Sequence, residues 1–119
     1  MNEAMRKLGV VSREYEALAT EYREIALNAA EAESNYRKLR AQTMLRAMVN
    51  ENAGAAKAEI VADADDAVSA ECTEYKCRAA IADAARQKLN QLREQVAVGR
   101  SVMVAEREQD RIHSQGGTP

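Results

Sequence analysis

The chain has 119 residues with 17 basic and 19 acidic side chains, a formal charge of −2, 46% hydrophobic residues and 30% charged ones. That balance excludes a disordered polyelectrolyte and a basic protein that coats nucleic acid, and it predicts a folded chain. Four tyrosines, no phenylalanine, no tryptophan and 24 alanines leave few large apolar side chains, so the interior must be thin and made of long helices packed at close range.

The first residues, among them Asn2, Glu3, Arg6 and Lys7, lack the apolar stretch of a secretory signal, and no apolar run approaches the roughly 18 residues of a membrane span. A cytoplasmic protein is expected, with no membrane partner. The only proline is Pro119, so long helices are permitted before it. Ser12 followed by Glu14 and Glu16 reads as an N-cap with first-turn acids. The main first helix is therefore placed at about 12–50, with Met1–Gly9 as a short preceding helical piece.

Leu8, Tyr15, Tyr22, Ala29 and Tyr36 recur every seven residues, and Val11, Leu18, Ile25, Ala32 and Leu39 follow each by three. This is the 3-4 spacing of a coiled-coil seam. Past Leu39 the seam would meet Thr43 and Arg46, so a slip is expected, with Leu45 and Met48 restoring the apolar pair. Asn50, Asn52 and Gly54 tolerate the left-handed conformation that ends helices, and the turn is placed at about 50–55. A second helix at about 56–112 follows from Val61, Val68, Tyr75, Ala82, Leu89, Val96 and Met103, again a strict row of seven. One domain spans 1–114, and residues 115–119 read as a disordered tail.

Charge selects how the two helices pair. If the chain folds back at Gly54, residue n faces residue 108 − n. The basic stretch with Arg37, Lys38, Arg40 and Arg46 then faces Asp63, Asp65, Asp66 and Glu71, and the glutamates from Glu14 to Glu33 face Lys76, Arg78, Arg86, Lys88 and Arg93. A parallel in-register dimer would set glutamate beside glutamate, which is unfavourable. The expectation is an all-α antiparallel two-helix coiled-coil hairpin, with Met5, Leu8 and Val11 docked near Val96, Val98, Val102, Met103 and Val104. A swapped dimer would satisfy the same charge rule. Apolar residues off the seam, Val10, Leu27, Val49, Ile60, Ile81, Val98 and Val104, exceed what one seam buries. They predict a homodimer of hairpins, a four-helix assembly, against the alternative of a monomer with scattered surface apolar residues. Leu27, Val49, Ile60, Ile81, Val98 and Val104 are the candidate interaction or dimer face.

Chemistry-bearing motifs are sparse. His113 is the one histidine, the five glycines form no phosphate-cradling loop, and Cys72 and Cys77 lack the spacing of a metal or redox pair. The cysteines read as small packing residues, Asp63, Asp65 and Asp66 as charge partners of the basic stretch, and the tyrosines as seam fillers. No enzyme, metal or cofactor is expected. A second reading gives Arg78, Arg86, Lys88, Arg93 and Arg100 contact with a nucleic-acid backbone, although the chain's acidity disfavours it.

The stretch YEALATEYREIALNAAEAESNYRKLRAQTMLRA from Tyr15, then AKAEIVADADDAV from Ala56 and LNQLREQV from Leu89, resembles a group of small helical proteins encoded by phages of actinobacteria. In that group a glutamate- and alanine-rich helix ends in a tyrosine and basic run, and the second helix closes with a Leu-x-x-Leu-Arg segment. The resemblance covers most of residues 8–105 and implies no activity and no site residues. It implies a phage early protein, acting in the bacterial cytoplasm by binding a host or phage protein. The alternative in that setting is a DNA-associated accessory of recombination or an inhibitor of a host nuclease. The chain lacks the tryptophan-containing turn of type-VII secreted hairpins, and its turn is too short for prefoldin-like subunits.

Overall fold

The structure, a computed structural model, describes residues 2–116. The described residues are helical almost throughout: α1 (Glu3–Asn50), α2 (Ala55–Ala64) and α3 (Asp66–Gly116). The all-α class expected from periodicity holds, and there is no strand among the described residues.

Three boundaries differ from expectation. α1 begins at Glu3 without a break, because Asn2 is its cap: the Asn2 Oδ1 accepts the Met5 N–H at 2.7 Å and its carbonyl accepts the Arg6 N–H at 3.2 Å. Ser12 lies inside the helix, and no separate N-terminal piece exists among the described residues. The expected second helix is two, interrupted at Asp65. Of the expected tail, Gln115 and Gly116 belong to α3, and residues 117–119 lie outside the described residues.

α1 stops where the sequence places the turn, through Asn52. Its φ of 54° is the one positive value among non-glycine residues described. That left-handed step returns the Ala53 N–H to the Ala47 carbonyl at 3.3 Å, which also accepts the Glu51 N–H at 3.1 Å. Gly54 is not left-handed: at φ −73° and ψ 171° it precedes α2 and accepts the Ala58 N–H at 2.9 Å.

The helices form two compact units. In one, the chain up to Glu21 packs with the chain from Ala85. Leu89, Leu92 and Val96 are buried there. Leu8 sits over Gly99 so closely that a Cβ on the glycine would lie 2.9 Å from the Leu8 Cδ1. The Asn2 amide donates to the Glu106 carboxylate at 3.1 Å.

The other unit is Tyr22–Ala84. Its interior is mostly alanine: Ala32, Ala47, Ala53, Ala58 and Ala62 are buried, the last two completely, with Val68. Met44 and Val61 pack against Ala47, Ala53 and Ala58. The register does slip after Leu39, but by one residue and without Leu45 and Met48: Arg46, next on the seam, is exposed, and Ala47 is buried in its place. Thr43 keeps the seam phase and is buried, its hydroxyl donating to the Leu39 carbonyl at 2.8 Å, and Ala47 follows. Leu45 and Met48, expected inside, are exposed. The row of seven from Val61 to Met103 faces inward throughout, buried or half-buried.

Candidate functional site

Within the Tyr22–Ala84 unit, the side chains capable of chemistry gather where α1 meets α2 and the start of α3. Tyr36 and Tyr75, each from a seven-residue row, stack with ring centroids 5.7 Å apart and planes 13° from parallel. Burial pushes the Tyr36 phenol above its ordinary pKa, and the neighbouring Cys72 thiol adds to the shift. One turn further along α1, the Arg40 Nε donates to the Asp63 Oδ1 at 3.0 Å and its Nη2 to Oδ2 at 3.5 Å. The hydrogen bond from Arg40 holds the Asp63 carboxyl below its usual range, and the same pair raises the Arg40 guanidinium.

The three neighbouring acids have separate tasks. Asp63 answers Arg40. Asp65 ends α2 and starts α3: its N–H donates to the Ala62 carbonyl at 3.2 Å, its Oδ1 accepts the Val68 N–H at 3.0 Å and its carbonyl accepts the Ser69 N–H at 2.9 Å. Asp66 occupies the first turn of α3, where the helix dipole favours a negative charge. No group of three or more His, Cys, Asp or Glu among the described residues could hold a metal ion. Cys72 is half-buried as a packing residue should be, whereas Cys77 is exposed, which corrects that reading for the second thiol.

The candidate interaction residues are all on the surface. Leu27 is 60% exposed, Val49 72%, Ile60 69% and Ile81 47% in the Tyr22–Ala84 unit, and Val98 and Val104 are 63% exposed in the other. In that second unit Ala4, Leu8 and Val11 of α1 and Val98, Gly99 and Val102 of α3 line an open apolar groove of about 500 Å³.

The candidate nucleic-acid contacts do not form one row. Arg78 bonds Glu74 on its own helix at 2.8 Å, and Arg86 also has a partner within the chain. Arg86, Arg93 and Arg100 recur every seven residues and are exposed, while Arg78 and Lys88 fall off that line. Between the arms, the expected complementarity is realised at Arg40 and Asp63; Arg37 pairs with Glu33 in its own helix at 2.6 Å.

Sequence reasoning missed the junction role of Asp65 and the grouping of Tyr36, Cys72 and Tyr75. A signal for the second was present, because Tyr36 and Cys72 are mirror positions about Gly54. No described helix is long and apolar enough to cross a membrane. No protein-family model, curated protein or solved structure matches the chain.

Proposed function

We propose that the protein is a noncatalytic protein–protein interaction module. Its form is an antiparallel coiled-coil hairpin turning at Asn50–Gly54, and two copies associate into a four-helix homodimer that presents a helical surface to a host or phage partner. The observation that carries this reading is the exposure of large apolar side chains away from the seam, led by Val49 at 72% and Ile60 at 69%. Such residues lose little by helix-on-helix contact with water excluded, and each buried one contributes about 1.5–3 kcal/mol before association costs. The pairing of Arg40 with Asp63 and the stack of Tyr36 on Tyr75 support the hairpin within the Tyr22–Ala84 unit. Resemblance to actinobacterial phage proteins supports an early phage role in the bacterial cytoplasm.

Light scattering coupled to size exclusion tests the association directly. The expected mass is twice the 13.1 kDa of one chain. Leu27→Lys with Ile81→Lys, both at exposed positions, should return it to one chain without loss of helicity. A monomer at all concentrations would contradict the homodimer. A gel-shift titration at two salt concentrations separates the nucleic-acid alternative, which requires salt-sensitive binding.

A further inference from the structure

We infer that the exposed face of α3 carrying Arg93, Arg100 and Arg107 is the docking site for an acidic helix of another protein, one with carboxylates at seven-residue spacing. The inference rests on the reading of the chain as an interaction module and names the chemistry of its partner. The face belongs to the unit in which the chain up to Glu21 packs with the chain from Ala85. Arg93, Ala97, Arg100, Val104, Arg107 and Arg111 follow one another at alternating steps of four and three residues, and all are exposed. Such steps keep side chains on one side of a helix. That side is neither the seam of Leu89, Leu92 and Val96 nor the groove wall of Val98 and Val102. Arg111 is held by Glu108 on its own helix. Arg93, Arg100 and Arg107 make no ion pair among the described residues, although the sequence sets Arg93 opposite the α1 glutamates. Three uncompensated cations therefore stand in line, about 10.5 Å apart along the axis.

The period of this ladder is that of any second α-helix lying along the face. Carboxylates at every seventh position of a partner meet all three arginines in one alignment, which is how charged flanks select coiled-coil partners. Between the arginines stand Ala97 and Val104, the latter 63% exposed. Val104 borders an open depression with Arg100, Ser101, Ala105 and Glu108, and an apolar side chain of the partner fills it. A phosphate backbone fits the face less well. Val104 offers it no hydrogen bond, and Glu94 and Glu108, each beside a ladder arginine in sequence, repel it, whereas a helix can set a base opposite them. The face also repels its own copy, arginine against arginine. The exposed Glu14 and Glu21 of α1 carry the matching chemistry within this chain, so their pairing with the ladder of a second copy is a separate outcome, read by mass.

The test titrates the full chain against labelled synthetic helical peptides by fluorescence anisotropy at low salt. A matched peptide carries glutamate at every seventh position with alanine and leucine between them on the same face; a control peptide has the same composition with its glutamates dispersed around the helix. The matched peptide should bind about tenfold more tightly or better, and added salt should weaken it. Arg100→Glu should weaken it about tenfold, and lysine in place of the central glutamate of the peptide should restore most of the loss. Lys57→Glu, the same change of charge at an exposed residue of α2, should leave binding within about twofold. Should Arg100→Glu lose helix by circular dichroism, Arg93→Gln and Arg107→Gln carry the same comparison. No binding of the matched peptide, equal binding of the two peptides, equal effects of Arg100→Glu and Lys57→Glu, or tighter binding of a DNA duplex than of the matched peptide would each overturn the inference. An Arg100→Glu chain of lower mass than the parent would overturn it too, by giving the face to a second copy. The homodimer is read from the mass of the parent chain alone and stands or falls independently of either peptide.

Discussion

The two compact units carry the same seven-residue pattern and fill it differently. Around Leu89, Leu92 and Val96 the interior is aliphatic, and a glycine at 99 admits Leu8 against the helix backbone. Between Tyr22 and Ala84 the interior is alanine, with a buried threonine, a stacked tyrosine pair and an interhelical ion pair. Large side chains interlock by shape, so position follows from packing. Alanines let helices approach but supply little area, so buried Val68, half-buried Ile25, Leu39, Met44 and Val61, the tyrosine stack and the Arg40–Asp63 pair make up the rest of the contact. A heptad repeat therefore tells where a helix faces and leaves open what fixes it there.

Substitutions can break this contrast. Leu92→Ala, at 2% exposure, should have the largest effect, a loss of about 2–3 kcal/mol in chemical denaturation, near the low end for leucine truncation because the surrounding layer is thin. Ala58→Leu, at 0% exposure, should cost about 1–3 kcal/mol by overpacking, where a surface alanine-to-leucine change costs nothing measurable. Equal effects of alanine enlargement at Ala58 and at exposed Ala80 would contradict close packing. Asn2→Ala should cost about 1 kcal/mol by removing the α1 cap, whereas Ser12→Ala should cost nothing at that helix start.

The smallest effects concern titration. The folded Asp63 carboxyl lies below its unfolded value, so its pairing with Arg40 contributes stability above about pH 3.9 and loses it as pH falls through the lower folded value. Asp63→Asn should flatten that part of the acid-denaturation profile, and an unchanged profile would show the pair to be silent. The Tyr36 phenol is raised by burial, so in an alkaline absorbance titration Tyr36→Phe should remove an ionisation that lies above the ordinary phenol value.

Much of this contrast is readable from residues alone, and its exceptions are polar groups satisfied locally. The turn at Asn50–Gly54 and the inward row from Val61 to Met103 follow from residue type and spacing. Thr43 misleads because its hydroxyl is consumed by the Leu39 carbonyl, so a polar residue holds an apolar slot and Leu45 and Met48 are left outside. Ala58 and Ala62 rank low by side-chain hydrophobicity yet are the most buried alanines, since small size is what close approach requires. Asp65 hides in a run of acids that all resemble charge partners; its cap shows only when the Val68 N–H is found on its carboxylate. The interaction face is the least legible part, because exposure marks residues left unburied and says nothing of what covers them.

The most direct test of the account is the distance between Ser34 and Thr73, exposed residues on α1 and α3 of the Tyr22–Ala84 unit, measured by paired spin labels in a cysteine-free background. With helices packed at 8–10 Å and the labels on outer surfaces, a narrow distribution near about 20 Å is predicted, unchanged when labelled chains are diluted with unlabelled ones. A distance near about 60 Å, the span of 39 residues in one unbroken helix, or a short distance that vanishes on dilution, would contradict the chain folding back on itself.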